Sequence, residues 1–221
     1  MITLKEIYFA NGRFLRQRCP DFSSFGQDGT RELARLWPEV PYDTVIIDEI
    51  YIDEVSFICN QIYLYWGLEG KAYDRKRDQE RQKLGTSAAN FSNFITKIID
   101  GGRGISWVEY DGKGVRENID GEVFQGVNDL IYSFVPPRTV GVENQMNKQE
   151  KPYILLHELI ERIHLTKGLS YRQSHHLHAN LAEKAARRRD KILPGCFPGD
   201  KNFRYCSSFE EFCERFELKK A

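Results

Sequence analysis

Tyr153-Ile154-Leu155-Leu156-His157-Glu158-Leu159-Ile160-Glu161-Arg162-Ile163-His164 is the stretch on which the reading of this chain turns. Apolar residues at 155, 156, 159, 160 and 163 recur at the spacing of an α-helix with one face in a core. Pro152 suits the first helical turn, where a missing N–H leaves nothing unpaired. Gly168 predicts the stop, with a positive φ that lets the chain reverse. Ser170 and Gln173 then form a capping box for a second helix. The connection is short, so the two helices fold back on each other or cross steeply.

All five histidines fall within residues 157–178 of this helix pair. Imidazole is the commonest side-chain metal ligand and a frequent acid–base group. His157 and Glu161 are four residues apart and point the same way, while Glu158 sits beside them. The second helix carries His175, His176, His178 and Glu183. His176 and Glu183 are seven apart and share a face. His175 lies on the adjacent edge, where Ala179 and Ala182 allow close packing. One helix thus offers a His–Glu pair and its neighbour a third ligand, from either His175 or His176. The bland alternative is a solvated face of Glu158, Glu161, Arg162 and His164, with the histidines capping polar groups.

His157-Glu158-Leu159-Ile160-Glu161 resembles the HExxE variant of the zincin helix. With Arg162, Gly168-Leu169-Ser170-Tyr171, His175 or His176, and Glu183, the string is similar to uncharacterised, often phage-borne metallopeptidase-like proteins. The resemblance covers residues 157–183 only. It implies zinc as cofactor, His157 and Glu161 as ligands, His175 as third ligand with His176 as the alternative, and Glu158 as general base. It also implies a peptide or protein substrate. An edge strand beside the metal helix would bind the substrate backbone, and residues 138–142 are the candidate.

Other readings compete. Residues 160–182 have the outline of a DNA-binding helix-turn-helix with a basic tail at Arg187-Arg188-Arg189. The chain is neutral, with 32 basic and 32 acidic residues, so no global field steers it onto nucleic acid or an anionic membrane. Glu161 and His164 fit half of a di-iron carboxylate site, but the chain has no second Glu-x-x-His. Val45-Ile46-Ile47-Asp48-Glu49 resembles a Walker B strand without a phosphate loop to accompany it, and reads as a buried strand ending in exposed acids. A relative that kept the fold and lost the activity is a further reading.

Around this centre the expected fold class is α+β: a central β-hairpin or small antiparallel sheet packed on the metal helix, with a helical C-terminal end. Residues 44–52 read as a buried strand. Residues 54–66 fit strand or helix, and residues 71–83 a solvated helix. Residues 87–99 read as a helix capped by Ser87 and ended by Gly101-Gly102. Residues 105–110 and 115–119 read as a hairpin turning at Asp111-Gly112, residues 130–135 as a further strand, and residues 138–142 as an edge strand after Pro136-Pro137. The last helix starts at Ser207 or Ser208, with Phe209, Phe212, Cys213 and Phe216 as its apolar stripe. The expected organisation is residues 1–100 as a mixed region and residues 101–221 as the domain of the metal site, or else one continuous domain. Five cysteines, no apolar leader at the N-terminus and no uninterrupted apolar span point to reduced thiols in a cytoplasm, without a membrane partner.

Overall fold

The computed structural model describes residues 6–16, 38–68, 70–84, 90–100, 104–190, 208–215 and 219–220. The expectations at Ser87, Gly101-Gly102 and Phe216 lie outside them, as do three of the five cysteines, Cys19, Cys196 and Cys206. Helices and two small mixed sheets give an α+β fold. The chain divides into two compact units, Met1–Lys76 with Asp190–Ala221, and Arg77–Arg189. A boundary at residue 100 would separate two strands that are hydrogen-bonded to each other. Among the described residues, no helix is long and apolar enough to cross a membrane. Cys59 and Cys213 are thiols.

In the first unit, β1 (Glu6–Ala10) pairs parallel with β2 (Thr44–Asp48) and antiparallel with β7 (Lys219–Lys220). Every residue of β2 is buried, as its β-branched run requires. The strand ends four residues earlier than expected and passes into a 3-10 helix, Glu49–Glu54. Asp48 is buried, not exposed. Its carboxylate accepts from the Ile50 amide, from the Gly12 amide at the start of α1 (Gly12–Arg16), and from the Arg16 guanidinium. Helices α2 (Val55–Tyr65) and α3 (Gly70–Leu84) follow.

The second unit is built on a sheet of order β3-β4-β6-β5: β3 (Ile95–Asp100), β4 (Ser106–Tyr110), β5 (Gly126–Asn128) and β6 (Thr139–Glu143). β4 and β6 are parallel and the other pairs antiparallel. The helix expected over residues 87–99 is instead a 3-10 turn, Phe91–Phe94, capped by Asn90, followed by β3. Ile95, Thr96, Ile98 and Ile99 give that segment the β-branched density of a strand, and β4 offers it a partner. The expected hairpin at Asp111-Gly112 is absent. The Asp111 side chain accepts from the Gly114 amide and caps a helix, α4 (Gly112–Asn118), so an N-cap prevails over a turn.

Residues 130–135 form turns, not a strand. The Asn128 side-chain oxygen accepts from the Leu130 and Ile131 amides, and its backbone carbonyl from the Ile131 and Tyr132 amides, which winds the chain. Val135, Tyr132 and Phe134 still reach the core around Phe91, Val108, Tyr110 and Val127. β6 is an interior strand between β4 and β5, so residues 138–142 do not offer an edge. The edge strand beside the central helix is β5.

That helix, α5 (Lys151–Thr166), lies against β5 and β6 and buries Tyr153, Ile154 and Leu155. It ends as the sequence requires. Gly168 has φ +83°, its amide donates to the Leu165 carbonyl at 2.9 Å, and the Leu169 amide to that of His164 at 3.2 Å. These are the paired bonds of a Schellman stop. Ser170 and Gln173 then make the expected reciprocal cap, with Gln173 Oε1 accepting from the Ser170 amide at 3.0 Å. The chain continues as a π-helix over Gln173–Ala179, then α6 (Asn180–Arg189). The described chain ends with α7 (Phe209–Arg215) and β7.

No atom lies within 4 Å of a Cβ built at Gly168, so only its backbone conformation opposes a side chain there. Gly168→Val is expected to lower unfolding free energy by about 1–2 kcal/mol. Gly168→Asn, which tolerates the left-handed region, is expected to lose less. Urea unfolding of both variants checks this; equal losses would place the constraint elsewhere.

Candidate metal centre

His157, Glu158 and Glu161 project from the buried side of α5, with 7%, 9% and 3% of their surfaces exposed. The bland expectation of a solvated acidic face therefore fails for both glutamates. His157 Nε2 lies 3.1 Å from His175 Nδ1, and His175 Nδ1 lies 3.0 Å from Glu161 Oε1. These three residues each offer a ligand atom within 4.8 Å of the other two, close enough to hold one metal ion. Ligand atoms around a tetrahedral ion at zinc distances stand about 3.4 Å apart, near the 3.1 and 3.0 Å that separate His175 Nδ1 from His157 and Glu161. His176 is exposed and outside this group. His164 stacks on His178 at 3.7 Å, also outside it.

The orientation of His157 is fixed from behind. Its Nδ1 lies 3.0 Å from Glu183 Oε2. A carboxylate only accepts, so Nδ1 carries a proton, and in the neutral ring Nε2 turns a lone pair toward His175. Histidine ligands are commonly held in this way by a carboxylate. Glu183 is held in turn by Arg187, whose Nε and Nη2 donate to Glu183 Oε1 at 2.9 and 2.7 Å. Arg187 Nη1 reaches Glu150, and the guanidinium lies 4.6 Å from the centre of the Tyr153 ring. Arg187 is fully buried, so it is not a phosphate contact of a basic tail.

Asn128, fully buried at the end of β5, bridges the remaining carboxylates. Its Nδ2 donates to Glu158 Oε2 at 2.9 Å and to Glu161 Oε2 at 2.8 Å. The two backbone amides on its oxygen fix which end of the amide faces the acids. Gly126 lets Glu158 approach β5: a Cβ there would lie 2.6 Å from Glu158 Oε1. Arg162, beside the site, forks onto Asp129. Asn128, Glu150, Glu183 and Arg187 did not emerge as supports from the sequence. A visible signal was the i,i+4 pair Glu183–Arg187.

The electrostatics follow from crowding of carboxylates. Glu150, Glu158, Glu161 and Glu183 are all buried, and Arg187 compensates the first and last of them. Burial, then the neighbouring Glu161 charge, push Glu158 up to about 7. Burial alone would lower the His157 pKa, but the Glu183 carboxylate outweighs it and raises it. Burial works against ionisation of Glu183 too, yet Arg187 and His157 hold its pKa below the ordinary value. A pocket that keeps an acid protonated near neutrality, opposite two imidazoles, is one that a cation relieves.

Metal-free protein therefore has a defined pH response. Glu158 binds its proton more tightly folded than unfolded. Its contribution to stability is complete below its ordinary value of 4.5 and is lost as pH rises through about 7. His157, also raised, acts with the same sign. Urea unfolding in chelator between about pH 5 and pH 8 is expected to show declining stability, and Glu158→Gln to flatten the decline. Equal slopes in the two proteins would contradict this.

Compared with known proteins, the chain matches no family model, no curated protein and no solved structure.

Proposed function

We propose that the protein is a metal-dependent hydrolase, with zinc held by His157, Glu161 and His175 and with Glu158 as general base. The observation that carries this reading is the convergence of His157 Nε2, His175 Nδ1 and Glu161 Oε1 on one point, with the far side of His157 tied to Glu183. Two histidines and one glutamate form a known catalytic zinc set that leaves a coordination position open. Bound zinc supplies Lewis acidity toward a carbonyl oxygen.

The protein's own groups do the remaining work. Glu158 stands beside the ligand Glu161, linked to it through Asn128. A carboxyl group whose pKa is raised toward neutrality is suited to take a proton from an attacking water and pass it to a leaving group. Asn128 keeps one Glu158 oxygen occupied, which aims the other. Arg187 and Glu183 form a line of hydrogen bonds behind the site that holds the His157 ring.

We assign a peptide as the substrate class. β5, the edge strand next to α5, is buried at all three residues, and its Asn128 carbonyl already accepts from the Ile131 and Tyr132 amides, so it presents no open sheet edge. The resemblance of His157-Glu158-Leu159-Ile160-Glu161 to the zincin helix supports the same class.

The test separates ligand from base in protein purified without a histidine tag. His157→Ala is expected to weaken zinc binding by roughly 100-fold or more. Glu158→Gln is expected to keep zinc within a few-fold and to slow hydrolysis of a mixed peptide library by about 10²–10⁴-fold. Equal loss of zinc in both variants would make Glu158 a ligand or a structural group. Unchanged hydrolysis in Glu158→Gln would remove it as the base.

A further inference from the structure

The second helix is not α-helical where it meets the metal centre. Over the seven residues Gln173–Ala179 it is a π-helix, and the Asn180 amide reaches back five residues to the His175 carbonyl. Such wide turns are rare and gather at functional sites. Here the turn has a geometric consequence. His157 contacts His175 through one ring nitrogen and Glu183 through the other, so His175 and Glu183 must lie on one face of their helix. They are eight residues apart. In an uninterrupted α-helix that spacing leaves two side chains about 80° apart around the axis. A π-helix advances only about 80° per residue, against about 100° for an α-helix, so the run from His175 to Ala179 removes nearly all of that offset.

In a straight α-helix the residue sharing the face of Glu183 would be His176, seven residues before it and only about 20° off. The π-helix thus turns His175 inward and leaves His176 exposed, its ring edge-on to that of His175 at 4.9 Å between centroids. We infer that the π-helix is the element that selects the third metal ligand: it adds one residue's worth of chain between ligand and support, placing His175 rather than His176 opposite Glu161 while keeping Glu183 behind His157. Return of the segment to α-helix would exchange the two histidines at the site. This inference rests on the metal reading above.

The consequence is that the chain tolerates loss of one residue here. Deleting His176 shortens the separation of His175 and Glu183 to seven, which an ordinary α-helix accommodates on one face. The residue is exposed, as is Leu177, so its loss empties no core position. Zinc titration against a chromophoric chelator, with thermal melts alongside, is the experiment. The His176 deletion is expected to bind one zinc per chain within roughly fivefold of the wild-type affinity. Inserting one alanine between His176 and Leu177 is expected to weaken zinc by roughly 100-fold or more.

In the full-length chain, His176→Ala is expected to bind as wild type does and His175→Ala to lose zinc. A folded His176 deletion that loses zinc overturns the inference, as does the reverse order of the two alanine variants. The alanine pair decides if the deletion fails to fold. Absence of zinc binding by the wild type would instead overturn the metal reading itself.

Discussion

The Glu183 carboxylate has two partners: one oxygen takes two hydrogen bonds from Arg187, and the other takes the His157 Nδ1 proton. The candidate site depends on that division. Without Arg187, burial would drive Glu183 toward its neutral form, and a neutral acid would no longer fix the His157 tautomer. Without Glu183, His157 could present either nitrogen to the interior. Arg187 is itself affordable in the core only because Glu150 completes its fork and Tyr153 stacks against it. The chain of contacts runs from the start of α5, through the second helix, and back to the middle of α5, so it also fixes how the two helices lie together.

The front of the site is arranged on the opposite principle. Behind His157 one guanidinium bridges the carboxylates of Glu150 and Glu183, whereas Glu158 and Glu161 share the neutral Asn128 amide. Asn128 is neutral and can share the repulsion of the two acids but cannot cancel it. The position of Glu158 near neutrality is the result. A structure built only for stability would replace such a cluster with apolar side chains at little cost.

Much of this was legible in the sequence, and the gaps have physical causes. The helix over α5, the positive φ of Gly168 and the Ser170–Gln173 cap follow from local rules and appear as expected. His157, Glu161 and His175 come together because a four-residue spacing and a short turn leave few alternatives. The resemblance put His175 ahead of His176, but the residues themselves left the choice open, and no residue pattern announces the π-helix over Gln173–Ala179. The strands were read less well. Asp111-Gly112 can make a hairpin turn or a helix cap, and the choice falls to the buried contact of Arg116 in α4 with Glu143. Residues 87–99 carry apolar side chains at a helical spacing, but pairing with β4 prevails. The aromatic residues 132 and 134 are core without being strand, because Asn128 turns the chain beneath them.

X-ray absorption at the zinc edge, on stoichiometrically loaded protein carrying no histidine tag, tests the central claim most directly. The expected spectrum shows one zinc per chain in a shell of nitrogen and oxygen at about 2.0–2.2 Å, with outer scattering from two imidazoles and none from sulfur. A shell containing thiolate at about 2.3 Å, a single imidazole, or protein that takes up no zinc would contradict it.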